Sequence, residues 1–282
     1  MVNEMVSTPT IIDKQGLDYP NQVCHKMRLP YCDLRGSNLS GSDLMGSQLY
    51  CCDIRDSNWY GTNLAGANLN HSNLSRSDLT QACLDSARLQ GVVVSNAMLE
   101  NAMLNRCDMR SAVATHANLK AVELKDGLLN EVDMSGTLLD GAEIDGSCWD
   151  FADLTAASLR QAQLTNNSLD QAVLDHVDLI QAELDHALMF DAWLRKSELT
   201  YASMTHVALD GTNLEGSILF GADLRYANLA GACFRNTDLR CARLDYADIS
   251  DIDIQGAKLD HATCHGATAN DRPIESLVDV SA

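Results

Sequence analysis

The chain has 282 residues, of which 46% are hydrophobic and only 5% aromatic, and it carries a net charge of −19. Such a surface excludes direct binding of nucleic acid or of an anionic membrane and favours a basic partner. No stretch approaches the roughly 18 consecutive apolar residues of a membrane span, and residues 1–30 lack the basic start and apolar run of a secretory leader, so a cytoplasmic protein is expected.

Residues 1–26 show no periodicity; they include Pro20 and the apolar stretch from Leu17 to Val23, and are read as an N-terminal cap. From Leu34 to Cys264 every fifth residue is apolar, without insertion or deletion; of these 47 positions 33 are Leu. A period of five fits neither a helix nor a strand and marks a repeat protein. Two residues before each such centre stands a small residue, as in Ala222-Asp223-Leu224-Arg225-Tyr226 followed by Ala227-Asn228-Leu229-Ala230-Gly231. Residues two apart on an extended segment point to one side. The small residue and the centre therefore point inward, and the residue between them, often Asp or Asn, points outward. The two residues after the centre are polar or Gly, as a bend requires. Asn167 places an amide at an inward position, where it must find hydrogen bonds. Gly127 and Ala114 leave less volume than their neighbours, Trp59 and Trp149 fill more, and a bulge or bend is expected there. The unbroken register predicts one rod over residues 27–267, with a C-terminal tail at 268–282. In that tail Pro273 would open two helical turns, and Ile274, Leu277 and Val278 would share a face.

In its tandem repetition from about Cys32 to Gly266 the chain resembles the pentapeptide-repeat family, whose consensus is Ala-(Asp/Asn)-Leu-X-X. The resemblance implies an all-β solenoid, a right-handed quadrilateral β-helix with four pentapeptides per coil. Residues 20 apart would then stack, and about 12 coils at the ~4.8 Å inter-strand spacing would make a rod of about 55 Å.

On this reading Cys32 and Cys52 are stacked neighbours able to bridge in an oxidising compartment. The ten cysteines otherwise read as small free thiols, with Cys32, Cys52 and Cys107 inward at small positions and Cys264 at a centre. No Cys-X-X-Cys and no phosphate-binding glycine loop occurs, so no metal, no cofactor and no catalytic residue is assigned and a non-enzyme is expected. Asn166, His186, His206, Tyr226 and Tyr246 form one ladder; stacking of planar side chains is the simpler account, and a metal shared by the two imidazoles is the other.

Folding the sequence at 20 assigns charge to four sides. The side centred on Leu34, Ile54 and Leu74 (side one) carries −2, and that centred on Leu39, Trp59 and Leu79 (side two) −3. The adjacent sides centred on Leu44, Leu64 and Leu84 (side three) and on Leu49, Leu69 and Leu89 (side four) carry −6 each. Their carboxylate rows include Glu123, Glu143, Asp145, Asp150, Asp170, Glu183, Asp185 and Asp210, spaced along a narrow rod as phosphates are along a duplex. Outward positions turn apolar in the middle coils, and Val173 with Trp193 forms the best candidate apolar patch.

By resemblance to the acidic, DNA-mimicking members of the family, the rod would bind a type II topoisomerase, DNA gyrase or topoisomerase IV, and protect it from poisons such as quinolones. Two departures stand against this: Phe occupies a centre only at Phe234, and the tail that would supply homodimer contacts is short. The alternative is a scaffold or regulatory module whose partner, unrelated to DNA, docks on Val173 and Trp193; a secreted bacterial effector is the third reading.

Overall fold

The computed structural model describes residues 12–269 and 272–273. Its backbone is one continuous coil in which each residue before a centre pairs in parallel with the residue 20 further on, from Asp18 with Asn38 to Asp248 with Thr268. Strand β1 (Ile12–Asp13) pairs with β2 (Cys32–Asp33) in the same register. A repeat of five closing at 20 is a four-sided helix, so the closure that the sequence alone left open is visible in the pairing itself.

One unit shows how the backbone is satisfied. Asn63 N–H donates to Ser42 C=O of the preceding coil at 2.9 Å, and Leu64 N–H and Gly66 N–H donate to Cys83 and Asp85 C=O of the next at 2.6 and 2.9 Å. Ala67 N–H closes the corner on Leu64 C=O at 2.9 Å. The second residue after the centre adopts a left-handed φ, 64° at Gly66, the conformation that a turn demands at its third position. Sixteen of the 17 glycines lie at such corners, where they avoid the cost of a side chain at positive φ. Many corners carry other residues at φ between 52° and 62°, held there by the pairing above and below.

The core is a stack of centres and small residues; Leu64, Leu69, Leu124 and Leu184 are fully buried. Asn167 finds the partners it needs: Ser147 N–H donates to its Oδ1 at 2.6 Å and its Nδ2 donates to Ile144 C=O at 2.5 Å. One coil earlier Gly127 N–H donates to Ser147 Oγ at 2.9 Å. A Cβ on Gly127 would meet Leu124 Cδ2 at 2.7 Å, which is why the smallest residue stands there. The expected bulge at these irregular positions does not occur: the pairings Leu128 with Cys148 and Cys148 with Ser168 keep the register. The change is local to the corner: Ser147 N–H, which would close on Ile144 C=O, donates instead to Asn167 Oδ1.

The N-terminal boundary is corrected. Residues 12–26, read as a cap, already form the first coil, since β1 and the pairings from Asp18 and Val23 belong to the ladder. The centre slots there hold Lys14 and Tyr19, both exposed, while Leu17 and Met27 in the small slots pack against the core. At the other end β3 (Thr268–Ala269) pairs antiparallel with β4 (Arg272–Pro273), so Pro273 is extended backbone beside the last coil. The expected helix over 274–282 and a dimer contact through it lie outside the described residues.

Replacing Leu164, 2% exposed, with Asp would bury an unpaired charge between coils. The expected result is a loss of more than about 4 kcal/mol or of cooperative folding altogether, read by urea denaturation. A mutant as stable as the parent would contradict the register.

Candidate interaction surface

The ladder leaves one amide per unit without a backbone partner, that of the residue just after the centre, and the acidic residues answer it in two ways. An Asp or Asn before the centre accepts it within the same unit: Arg35 N–H donates to Asp33 Oδ1 at 3.2 Å, Ala65 to Asn63 Oδ1 at 3.1 Å and Thr155 to Asp153 Oδ1 at 2.9 Å. Alternatively the residue after the centre accepts it from the next coil: Phe190 N–H donates to Asp170 Oδ1 at 3.1 Å and Thr205 N–H to Asp185 Oδ1 at 2.7 Å. These side chains replace a missing backbone acceptor, as Asx turns do.

The eight predicted acidic residues therefore divide. Asp150, Asp170 and Asp185 are half-buried and hold corner amides of the coil below. Asp145 accepts from Thr165 Oγ1 at 2.8 Å and Asn166 Nδ2 at 3.0 Å, and these bonds, Asn166 first, pull its carboxyl below the usual range. Asp210 Oδ1 takes Asn228 Nδ2 at 2.6 Å, and its buried Oδ2 has no hydrogen-bond partner. Glu143 pairs with Lys125 Nζ at 2.5 Å. Only Glu123 and Glu183 are exposed. They stand on side three, and the sequence-level list omits exposed corner acids on the same two sides: Asp126, Glu131 and Asp191. Their signal was a corner position, where no backbone amide claims the carboxylate.

Cations are distributed unevenly. Arg35, Arg55, Arg76, Arg160, Arg195, Arg235 and Arg240 on sides one and two each bridge an Asp. Among the described residues, no ion pair reaches Glu123, Asp145, Asp150, Asp170, Glu183, Asp185 or Asp210. The net negative field thus gathers along the edge between sides three and four, in the middle coils.

That edge continues as the aromatic ladder. His186 and His206 stack at 4.9 Å between ring centroids with an interplanar angle of 6°, His206 and Tyr226 likewise at 4.9 Å and 6°, and Tyr226 and Tyr246 at 5.1 Å and 6°. It ends over Gly266, where a Cβ would meet the Tyr246 ring at 2.7 Å. The spacing is set by the coils, and the faces of the inner rings are occupied by one another. Among the described residues no group of three or more His, Cys, Asp and Glu is placed to hold a metal.

On side one Trp193 is 45% exposed, paired in the ladder with Val173, and Arg195 lies over its ring at 4.6 Å. Side two adds exposed Tyr201 against Phe220 edge to face at 5.6 Å, beside Ile218, one of the outward positions that turn apolar; Tyr201 and Phe220 are corner residues and were not singled out by sequence. An open groove of about 570 Å³ runs along the corner of side one past Asp175, Arg195, Lys196 and Glu215. Burial pushes the Cys52 and Cys107 thiols up to about 12 and raises that of Cys32, which disfavours the reactive thiolate.

Asp170 gives a test of the corner chemistry. Burial, followed by the Asp150 and Asp191 charges, raises its carboxyl above the usual range against the pull of the Phe190 amide. A raised folded value favours the protonated form, so the stabilising contribution is present below the unfolded value and is lost as pH rises through the folded one. Asp170→Asn keeps the acceptor for Phe190 N–H and removes the charge. It is expected to raise stability at pH 7 by about 0.5 kcal/mol, after discounting for screening at a solvent-facing corner, and to change nothing near pH 3. Paired thermal melts at the two pH values check this, and a destabilised variant at pH 7 would contradict it.

The sequence matches the model of the Pentapeptide repeats family, in 8 copies, over residues 29–58, 60–96, 95–126, 150–189 and 217–256. No curated protein matches it. Among solved structures it is similar to HetL, a pentapeptide repeat protein involved in heterocyst differentiation regulation from the cyanobacterium Nostoc sp. strain PCC 7120, at 24% identity over 90% of this chain and 91% of that one, with a TM-score of 0.33. Rfr23, a pentapeptide repeat protein of the cyanobacterium Cyanothece 51142, is 23% identical over 36% of this chain and 64% of that one, at 0.25. QnrB1, a plasmid-mediated fluoroquinolone resistance protein, is 16% identical over 67% of this chain and 88% of that one, at 0.28. The fold of this family is the right-handed quadrilateral β-helix. With the repeat model matched over more than half of its length, the chain belongs to the pentapeptide repeat family.

Proposed function

We propose that this protein is a non-catalytic binding module whose two adjacent acidic sides dock on a basic protein surface. The observation that carries the reading is the segregation of charge: Arg side chains bridge Asp along sides one and two, which keep net charges of only −2 and −3, while on sides three and four, at −6 each, Glu123, Asp145, Asp150, Asp170, Glu183, Asp185 and Asp210 have no ion pair among the described residues. A rod with carboxylates every coil spacing of ~4.8 Å presents a linear anionic field comparable to a duplex edge. The partner we assign is a DNA-binding saddle, that of DNA gyrase or topoisomerase IV, with protection from antibiotic poisons as the consequence. The acidic sides would make the contact together, and the exposed Glu123, Asp126, Glu183 and Asp191 would make the greater part of it.

The experiment is gyrase supercoiling with and without the protein, with and without a quinolone, at several salt concentrations. The expected outcome is a change in supercoiling or in quinolone sensitivity at micromolar protein that fades as salt rises, because screening shortens the field. Reversing Glu123, Asp126, Glu183 and Asp191 to Lys together is expected to abolish it with an unchanged melting curve. No salt-sensitive effect at micromolar protein would sink the reading.

A further inference from the structure

Side one carries a pattern that the acidic sides lack. Its residues after the centre, in four successive coils, are Asp175, Arg195, Glu215 and Arg235. They alternate in sign at the coil spacing, and the charge of Glu215 acts on both Arg195 and Arg235. Arg195, Lys196, Glu215 and Arg235 are exposed, and no ion pair engages Glu215 among the described residues. Beside this row run Val173, Trp193, Asn213 and Cys233. At the corner Lys196 is followed one coil later by Gly216, and the Lys196 stem lies over it, 3.4 Å from where a Cβ would stand.

We infer that this strip of side one, centred between the coils of Arg195 and Glu215, is a docking surface for a second copy of the chain in antiparallel orientation. A two-fold axis lying in the face and perpendicular to the rod keeps each row opposite itself and reverses its direction, as an isologous contact requires. An alternating row read backwards has its signs exchanged. Arg195 then faces Glu215 of the second copy and Glu215 faces its Arg195, while Asp175, buried and bridged to Arg195, and Arg235, bridged to Asp253, lie opposite each other at the flanks. In the neighbouring row Trp193 lies over Asn213, and Val173 over Cys233. A parallel arrangement loses this correspondence.

The choice of occupant follows from charge. Two copies of a chain at −19 repel through sides three and four, and this orientation turns those sides outward. The match runs for about four coils; beyond it Asp153 would face Asp253, an unfavourable pair softened by the bridge from Arg235 to Asp253. A patch of that length is well below the ~800 Å² per partner of a standard stable interface, so the dimer is weak and salt-sensitive.

Sedimentation velocity of the full chain over a concentration series, at low salt and at about 0.5 M salt, tests this. The expected result is reversible dimerisation at high protein concentration that salt removes. Glu215→Arg should weaken association at least tenfold with an unchanged melting curve, and Glu215→Arg combined with Arg195→Glu should restore it. A monomer at every concentration, a dimer indifferent to Glu215→Arg, or a failure of the exchanged pair to restore association would each overturn the inference. A dimer formed by the C-terminal tail would appear as the second of these outcomes.

Discussion

Everything in this molecule hangs on the parallel pairing of each residue with the one 20 positions on. That ladder consumes three backbone amides of every five between coils and a fourth at the corner, and it forces the corner residue into the left-handed region. The left-handed region explains the glycines; the inward pair explains Leu and the small residues. The one amide left over explains the Asp and Asn. Few residue types in the rod are free of this arithmetic, and those that are free are the ones that carry information about partners.

This changes the meaning of an acidic surface. Acidity in a repeat of this kind is first a device for satisfying corner amides, and a carboxylate is only one of the acceptors that serve; Asn63, Asn105 and Asn228 do the same work without charge. Where Asp stands instead of Asn the fold gains little and the surface gains a charge. On sides one and two Arg offsets much of that charge. On sides three and four it is left standing in the middle coils, and the uncommitted acids of the corners add to it. The excess over what the backbone needs is the part that points to a partner.

The rod and its inward residues were legible in the sequence, because a five-residue period maps directly onto them; the charge of each side also needed the four-sided closure that the family resemblance implied. The first coil was not, because Leu17 and Met27 occupy small slots while Lys14 and Tyr19 stand at the centres; backbone pairing tolerates the exchange and a pattern search does not. The division among the predicted acids was also hidden. Asp185 and Glu183 look alike in the sequence, yet one is tied to Ser203 and Thr205 and the other is exposed, a difference that depends on which amide the ladder leaves unpaired. Tyr201 and Phe220 escaped because both stand at corner positions, which the repeat leaves to polar residues or Gly and which carry no apolar signal.

The most direct measurement compares these two neighbours by urea unfolding at pH 7. Asp185→Ala removes the acceptor of the Thr205 amide and of the Ser203 hydroxyl, and is expected to cost about 1–2 kcal/mol. Glu183→Ala removes an exposed charge and is expected to stay within about 0.5 kcal/mol of the parent. Equal losses would contradict the claim that the acids of this rod divide into those the backbone needs and those left for a partner.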